Sequence, residues 1–351
     1  MIKDKSIFIK NIYYMLAYAF EILNQGGYED IAVEEFENIH NLFAAILAKG
    51  IVRQLKQGLY REYIDKKEDI AVVRGKIDMP GTIRDRLARK RVLTCEYDEL
   101  SENNLLNQIL KTTVMLLLRH AKVEQKYKDE LKKEMLFFSG VYTVDPVSVR
   151  WSSIYFQRNN NTYRMLISLC RLILEGMLLT TDSGEYKLAS FVDEQRMNRL
   201  YEKFILEYYA KECPQVKATA SQIRWILDDG IGTMLPSMQS DIMLTKGSDV
   251  LIIDAKYYTH TTQVQYDVHT LHSGNLYQIF TYVKNKDAEF GDKEHSVSGM
   301  LLYAATDEDI QPDNSYMMSG NRISVKTLDL NQPFEKIAEQ LNSIVCENFN
   351  I

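Results

Sequence analysis

The chain has 351 residues, of which 46% are hydrophobic and 26% are charged, and its net charge is −6. This length predicts about two domains, because a single hydrophobic core rarely grows beyond about 250–300 residues. The acidic balance excludes a broadly basic protein that binds DNA unaided, so any DNA binding must be local or shared with a partner.

The cysteines and the hydrophobic runs predict a cytoplasmic protein with no membrane segment. The four cysteines form no Cys-x-x-Cys pair and no zinc-binding spacing, which indicates reduced thiols. The first residues lack the apolar core of a signal peptide. The most hydrophobic run, residues 165–179, is interrupted by Arg171 and Glu175 and is too short to span a bilayer, so a buried helix is expected there.

Residues 1–190 are predicted to form a mainly helical N-terminal domain with a small β element. Apolar residues recur there at helical spacing in five segments, which are 11–20, 36–58, 105–118, 121–137 and 165–179. The β element is a strand over residues 70–78 that contains a turn at Gly75.

A basic segment follows that strand. Between Ile83 and Arg91 the chain carries five basic residues and one acid, and the arginines are Arg84, Arg86, Arg89 and Arg91. Two interpretations are about equally favoured, a solvated helix face or a surface that contacts a partner subunit or DNA phosphate.

Residues 191–351 have the pattern of an α/β domain. A helix over 194–211, with Asp193 as its N-cap, precedes a strand over 223–227 and then a hairpin. The elements expected after the hairpin are a helix over 275–284, strands over 299–305 and 322–330, and a closing helix over 333–347.

The hairpin carries acidic residues at one end of an apolar ribbon. Its aliphatic arms, 242–245 and 250–255, are joined by a predicted four-residue turn, 246–249. If Thr245 pairs with Val250, then Asp241 lies opposite Asp254, and Lys256 emerges on the same face as Asp254. Two opposed carboxylates about 4.5–5.5 Å apart repel each other unless a cation lies between them. The pattern therefore predicts a divalent cation at this end of the hairpin.

Asp241 followed by Asp254-x-Lys256 resembles the active site of the PD-(D/E)xK nuclease superfamily. The resemblance implies a restriction-endonuclease-like α/β core in which Asp241, Asp254 and the Ala255 carbonyl hold Mg²⁺, for which Mn²⁺ can substitute. Lys256 would orient the attacking water and offset charge on the phosphate. The alternative is a surface ion pair, which is common for Asp-x-Lys on a strand. The opposed acid and the apolar ribbon favour the catalytic interpretation.

Two helices supply further candidate residues. Gln278 and Tyr282 are four residues apart and share a helix face, as in the extra motif of the RecB-like branch of that superfamily, where this helix touches substrate. The alternative is an amphipathic helix with a core tyrosine. In the same superfamily the helix before the sheet sometimes adds an acidic ligand, and Glu202 is the candidate, with a surface glutamate as the alternative.

The resemblance extends to the McrC family, the nuclease subunits of the McrBC modification-dependent restriction systems. The segments that carry it are 11–16, 75–77, 104–111, 235–236, 241–242, 250–258 and 272–278. It implies an endonuclease that cuts double-stranded methylated DNA only together with an McrB-like AAA+ GTPase hexamer. The N-terminal domain would dock on that ring and stimulate GTP hydrolysis. The sequence contains no Gly-x-x-x-x-Gly-Lys-Ser/Thr loop, which agrees with GTP being bound by the partner.

Two other functions are compatible with these features. One is an adaptor that activates the GTPase ring without cutting DNA. The intact Asp, Asp and Lys count against it, because a buried pair of like charges is costly to retain. The other is a nuclease that acts without a motor, which the acidic composition disfavours.

Overall fold

The computed structural model describes residues 3–4, 7–20, 28–156, 161–180, 186–189, 192–258, 262–265, 268–306 and 311–351. The chain divides into two compact units. The first unit comprises Met1–Phe43, Glu175–Leu179 and Ala189–Ile351, and the second comprises Ala44–Leu174 and Thr180–Leu188. This division differs from the predicted boundary at residue 190, because the first 43 residues share a unit with the C-terminal region.

Most helices agree in position with those that the sequence predicts. The exceptions are Glu29–Val33, which was not predicted, Met79–Leu87, which begins before the basic segment that only one interpretation made helical, and Ser273–Phe290, which extends beyond its predicted end at residue 284. Within the described ranges the helices are α1 (Ile9–Ala19), α2 (Glu29–Val33), α3 (Ile39–Gln57), α4 (Met79–Leu87), α5 (Leu105–Arg119), α6 (Gln125–Met135), α7 (Asn161–Met177), α8 (Glu194–Glu212), α9 (Ser273–Phe290) and α10 (Phe334–Phe349). Among these described helices, none combines the length and apolar character needed to cross a bilayer.

Most strands are short, except in the main sheet and in the ribbon formed by residues 62–70 and 93–101. In chain order they are β1 (Lys3–Asp4), β2 (Ile7–Phe8), β3 (Glu62–Ile70), β4 (Lys76–Ile77), β5 (Leu93–Ser101), β6 (Leu178–Thr180), β7 (Tyr186–Leu188), β8 (Lys217–Thr219), β9 (Gln222–Ile223), β10 (Met238–Gln239), β11 (Ile242–Lys246), β12 (Asp249–Lys256), β13 (Thr262–Gln265), β14 (Val268–Leu271), β15 (Ser296–Ala304), β16 (Asn314–Met318) and β17 (Asn321–Leu328).

The first unit is built on a six-stranded mixed sheet with the order β16-β17-β15-β12-β11-β8. Strands β12, β15 and β17 are parallel neighbours, whereas β11, β8 and β16 pair antiparallel with theirs. Six of the eight β12 residues are buried, as expected for a strand covered on both faces. The predicted strand over 223–227 is wrong, because Gln222–Ile223 pairs only with Met238–Gln239, and Lys217–Thr219 occupies the sheet position beside the hairpin.

Helix α9 packs closely on the sheet at Gly299. A Cβ atom at that position would lie 2.7 Å from Cγ2 of Val283 and 2.8 Å from Cγ1 of Ile279, so a side chain would separate the helix from β15. The buried cluster on this face includes Val250 and Ile252 of β12. Strand side chains alternate between faces, so Asp254 and Lys256 continue the row that faces α9.

Helix α1 belongs to this unit because its polar and aromatic side chains form hydrogen bonds and ring contacts with other residues of the unit. Asn11 Nδ2 donates to the carbonyl oxygens of Leu330 and Gln332 at 2.8 and 2.7 Å. The ring of Tyr18 packs on Phe204 of α8, and its hydroxyl donates to Glu212. The N-terminal helix is therefore part of the core around the sheet.

The second unit combines helices with a three-stranded sheet in the order β3-β5-β4. The predicted strand over 70–78 is largely wrong, because residues 71–75 are not in a strand and the long partner strand lies earlier, at Glu62–Ile70. That earlier segment has few apolar residues, but its charges pair across the ladder. Lys66 forms an ion pair with Glu99, and Lys67 with Glu96. Such cross-strand pairs stabilise an exposed ribbon without an apolar pattern.

Candidate active site

The hairpin of β11 and β12 has the predicted register. Thr245 is opposite Val250, and Met243 is opposite Ile252. The turn is shorter than predicted, because Lys246 pairs with Asp249 and only two residues remain between the strands. Gly247 takes the positive φ, +62°, that a two-residue hairpin turn requires. The apolar arms thus fix the register that brings the acidic ends together.

Asp254 and Lys256 form a buried ion pair at the C-terminal end of β12. Asp254 is 1% exposed, and Nζ of Lys256 lies 2.9 Å from its Oδ2. Despite this distance, neither Asp254 oxygen accepts a hydrogen bond of normal geometry from the described residues. A buried carboxylate normally has hydrogen-bond partners, so both oxygens retain capacity to bind a further positive group.

Asp241 lies one residue before β11 and is joined to the neighbouring strand. Its Oδ2 accepts a hydrogen bond from the backbone N–H of Ala255 at 3.0 Å. The strand ladder ends at the pair Ile242 and Ile253, so Asp241 reaches the Asp254 end of the hairpin through this side-chain contact. The predicted proximity of Asp241, Asp254 and Lys256 is therefore present, with Ala255 contributing its N–H group.

Burial is the largest influence on the pKa values of Asp241, Asp254 and Lys256. Burial raises the pKa of Asp254 to about 7, with Lys256 opposing the shift and Asp241 adding to it. Burial also raises the pKa of Asp241, again opposed by Lys256. For Lys256, burial acts to lower the pKa, but the two carboxylates outweigh it and the net shift is upward. The lysine therefore stays charged while both acids gain from an additional cation.

Helix α8 brings Glu202 to the same site. Burial raises the pKa of Glu202 to about 7, and Asp241 raises it further while Lys256 opposes, so all three groups interact. The side chain of Asn198, one turn earlier, donates from Nδ2 to Glu202 Oε1. Its Oδ1 accepts the backbone N–H of Tyr257 at 2.7 Å. Asn198 was not predicted from the sequence, although its spacing of four residues from Glu202 places both on one helix face.

Helix α9 contributes a second polar network. Gln278 donates to the hydroxyl of Tyr282 at 2.9 Å, so the two predicted residues share a face and pair with each other. The contact toward the strands comes from Asn275, which donates to the hydroxyl of Tyr303 at 3.0 Å and accepts from Tyr258. Burial raises the pKa of Tyr303, and the charge of Asp254 contributes to the shift. Neither Asn275 nor Tyr303 was predicted from the sequence, and the effect of Asp254 on the pKa of Tyr303 indicates that this network is near the acids.

The donor set fits a hard divalent cation. Among the described residues, no group of three or more His, Cys, Asp or Glu side chains could hold a metal ion by itself. Mg²⁺ does not require such a group, because it usually keeps several waters and binds one or two carboxylates. The unsatisfied oxygens of Asp254 beside Asp241 match that requirement. All the candidate ligands are oxygen atoms. Mg²⁺ and Mn²⁺ prefer such ligands, whereas zinc sites usually contain cysteine sulfur or histidine nitrogen atoms.

The basic segment, residues 83–91, lies in the second unit, and its first part belongs to α4. All four arginines, Arg84, Arg86, Arg89 and Arg91, are exposed. Helix α4 ends at Leu87, and Arg89 adopts φ +58°, so the last two arginines follow the helix. None of the four forms an ion pair with a carboxylate in the described part of the chain.

Three comparisons with known proteins agree with this description. A family profile, McrBC 5-methylcytosine restriction system component, matches residues 5–304. The chain is 28% identical over 343 residues, 97% of both sequences, to the Type IV methyl-directed restriction enzyme EcoKMcrBC of Escherichia coli strain K12. Its fold resembles a chain of the refined half-complex from the tetradecameric assembly of Thermococcus gammatolerans McrB AAA+ hexamers with bound McrC. That match has a TM-score of 0.50 and 20% identity, and covers 96% of this chain and 76% of the other. Because the profile spans most of the sequence, this chain belongs to the family of McrBC 5-methylcytosine restriction system components.

Proposed function

We propose that the chain is the endonuclease subunit of a methylcytosine-dependent restriction complex, with a PD-(D/E)xK site at the end of β12. One observation carries this proposal. Asp254 is buried, neither of its oxygens accepts a hydrogen bond of normal geometry from the residues that the structure describes, and Asp241 and Lys256 are its charged neighbours. A purely structural aspartate in that position would be costly, because burial penalises its charged form. The arrangement is explained if the site holds a cation and acts on a phosphodiester.

The residues have distinct roles in this proposal. Asp254 and Asp241 would hold Mg²⁺. Glu202 remains a predicted further ligand, because the charge of Asp241 contributes to its raised pKa. When bound, the ion supplies Lewis-acid chemistry at the phosphate and acidifies a coordinated water. The ammonium of Lys256 donates hydrogen bonds that orient the nucleophile and offset negative charge on the phosphate. The Ala255 carbonyl remains a predicted ligand, and its N–H group keeps Asp241 in place.

Gln278 and Tyr282 are proposed to act on the substrate side of the site. Their mutual hydrogen bond leaves the acceptor oxygen and the second amide proton of Gln278 available for DNA. Asn275 holds the hydroxyl of Tyr303 and thereby helps to fix the N-terminal part of α9. These residues would orient the backbone of the DNA and would not carry out the chemistry.

The partner is proposed to be an McrB-like AAA+ GTPase hexamer. Two facts support this, the family of the chain and the fold of its Thermococcus gammatolerans relative, which is described as McrC bound to McrB hexamers. The substrate is proposed to be double-stranded methylated DNA, in line with the methyl-directed activity named for the Escherichia coli relative. The net charge of −6 favours sharing DNA binding with a partner.

The exposed face of α4 is proposed as part of the surface that contacts the GTPase ring. Met79, Ile83 and Leu87 are spaced four residues apart, so they form one row, which we call the α4 stripe. They are 59%, 54% and 81% exposed. The buried face of the helix packs through Thr82 and Asp85 on Thr94 of β5. An apolar row flanked by unpaired arginines is typical of a protein-binding surface.

A cleavage assay with two lysine variants tests the proposal. The chain is mixed with its cognate GTPase subunit, GTP and Mg²⁺, and cutting of methylated and unmethylated plasmid is recorded. Lys256→Met should reduce cutting by roughly 10²–10³-fold, since it removes a donor at the reacting phosphate. Lys246→Met is the matched control at the opposite end of the hairpin, where Lys246 donates to the Phe349 carbonyl, and it should cut normally. Cutting that needs no partner, or an unmutated chain that stimulates GTPase but never cuts, would contradict the proposal.

A further inference from the structure

Lys256 has three close neighbours on the sheet face that is turned toward α9. Asp254 lies two residues before it on β12, with Oδ2 at 2.9 Å from the lysine Nζ. Tyr303 is directly opposite on the parallel strand β15, at the strand spacing of about 4.8 Å, and belongs to the buried cluster on this face. Tyr258 follows two residues after the lysine and packs against the same cluster. The lysine therefore lies between a carboxylate and two aromatic rings.

The remaining side of the lysine faces the end of the hairpin. The described ladder between β11 and β12 ends at the pair Ile242 and Ile253, so β11 does not continue alongside Lys256. Asp241 reaches this region through its hydrogen bond to the N–H of Ala255. A lysine side chain is a flexible stem with many rotamers. The rings on its other sides thus help to decide whether the ammonium stays with the acids.

Asn275, in the first turn of α9, connects the hydroxyls of the two tyrosines. Its Nδ2 donates to the hydroxyl of Tyr303 at 3.0 Å, and its Oδ1 accepts from the hydroxyl of Tyr258 at 3.4 Å. The two rings are 6.2 Å apart between centroids. Both functions of the amide are used, one on a strand residue opposite Lys256 and one on the chain just after it. One side chain therefore holds both rings beside the lysine.

We propose that Asn275 is a positioning residue for Lys256, because it fixes the two rings that keep the ammonium directed at Asp254. Its effect on cleavage rests on the proposed function, in which Lys256 acts at the reacting phosphate. The inference goes beyond that function, where Asn275 only helps to place α9. The effect can be large, since a shift of about 1 Å in a reacting group can slow a reaction about 100-fold.

The rate at which acetic anhydride labels Lys256 tests this positioning without depending on catalysis. The lysine side chain is 11% exposed and ion-paired, so the unmutated full-length protein should be labelled slowly. Asn275→Ala frees the rings and should speed labelling by roughly 2–10-fold, the factor that one net hydrogen bond gives. Trace labelling read by peptide mass spectrometry measures the rate, with Lys246 in the same protein as the reference.

Removal of the two hydroxyls tests whether Asn275 acts through the tyrosines. Tyr258→Phe combined with Tyr303→Phe keeps both rings and should speed labelling as much as Asn275→Ala does. Adding Asn275→Ala to this pair should change the rate no further, because the amide then has no hydroxyl to hold. The phenylalanine variants preserve the packing, so the test stands even if Asn275→Ala fails to fold.

Asn285→Ala is the matched control. Asn285 is also on α9, where its Oδ1 accepts the backbone N–H of Ile226 at 2.9 Å and its Nδ2 donates to the carbonyl of Thr281. It holds the same helix through the same kind of side chain, but it contacts neither tyrosine. Its variant should be labelled at Lys256 like the unmutated chain.

Cleavage supplies the second measurement. With the cognate GTPase subunit, GTP and Mg²⁺, Asn275→Ala should cut saturating methylated DNA about 10–100-fold more slowly in a single turnover. The affinity of the complex for DNA in EDTA and the rate of GTP turnover should not change. A weaker DNA affinity with an unchanged cutting rate would mean that Asn275 only places α9, and would overturn the inference.

The labelling rates separate the possible failures. Equal labelling of the unmutated chain, Asn275→Ala and the two-tyrosine variant would show that these contacts do not confine the lysine. Labelling that rises equally in Asn285→Ala would assign the effect to α9 as a whole, which also overturns the inference. If labelling changes as expected but the unmutated complex cuts no DNA, the proposed function fails while the confinement of Lys256 by Asn275 is supported.

Discussion

The Oδ2 atom of Asp241 accepts the backbone N–H of Ala255 at 3.0 Å, which ties one acid to the strand that carries the other acid and the lysine. The contact sets the spacing of the two carboxylates before any cation binds. Asp241 is therefore a structural acceptor, and in the proposed site it would also be a charged ligand.

Two substitutions at Asp241 should separate those functions. Asp241→Ala leaves the N–H of Ala255 without its acceptor and should lower the free energy of unfolding by about 1–3 kcal/mol in EDTA. Asp241→Asn keeps an acceptor oxygen and should unfold close to the unmutated chain. Both should lose the Mg²⁺-dependent rise in melting temperature. Urea unfolding in EDTA measures the first effect, and equal unfolding energies for the two variants would contradict the structural role of this contact.

The contribution of Asp254 to the stability of the metal-free protein should fall as the pH rises from about 4 to about 7. Burial raises the pKa of Asp254 from 3.8 to about 7, so the folded chain binds more protons than the unfolded chain across that interval. Asp254 therefore contributes a negative slope to the dependence of the free energy of unfolding on pH. Asp254→Asn removes this penalty and should be more stable than the unmutated chain by up to about 4 kcal/mol at pH 8, with little gain at pH 4. Urea unfolding at both pH values measures the difference, and a gain that is larger at pH 4 would contradict the assignment.

Gly299→Ala should destabilise the first unit by about 1–3 kcal/mol, because the added methyl group meets Val283 and Ile279 where α9 packs on the sheet. The control is Gly274→Ala in the first turn of α9, where a Cβ atom would meet nothing within 4 Å. Val283→Ala combined with Gly299→Ala should recover part of the loss by opening space. Thermal unfolding of the four proteins measures these effects, and equal melting temperatures for the two glycine variants would contradict the packing argument.

Ile83→Glu should disrupt the proposed contact with the GTPase ring while the chain stays folded. A charge in the centre of the α4 stripe must be desolvated on binding, so complex formation should weaken by 10-fold or more, on the order of 1.4 kcal/mol. Leu136→Glu is the control, because Leu136 is 75% exposed in the same unit but outside the stripe. Size-exclusion chromatography with the partner and GTP turnover measure the effect. Normal stimulation of GTP turnover by Ile83→Glu would exclude this face as the contact.

The hairpin and its acids were predictable because their signal is local. The two aliphatic arms and the short turn between them predict the register of Thr245 against Val250, and that register places Asp241 at the same end of the hairpin as Asp254. The closing helices and the parallel strands at 296–304 and 321–328 were predictable for the same reason. Periodicity reports which residues are buried, and burial decides these elements.

Features that depend on distant partners were not predictable. The charged segment Glu62–Ile70 forms a strand because its lysines meet glutamates about thirty residues later, which no local pattern shows. The placement of α1 with the C-terminal unit depends on Asn11 reaching the carbonyls of Leu330 and Gln332. Asn198 was missed because an asparagine within a helix has no pattern of its own, and only its two hydrogen bonds reveal it.

The most direct test of the account uses Asp254→Ala together with the cognate GTPase subunit. GTP turnover and cleavage of methylated plasmid are recorded in the same reaction with Mg²⁺, beside the unmutated chain. Cleavage should fall by roughly 10³-fold or more while stimulation of GTP turnover is unchanged, since the proposed chemistry is at the end of β12 and the proposed partner contact is elsewhere. Cleavage by Asp254→Ala at the unmutated rate would show that the chemistry is not at this site.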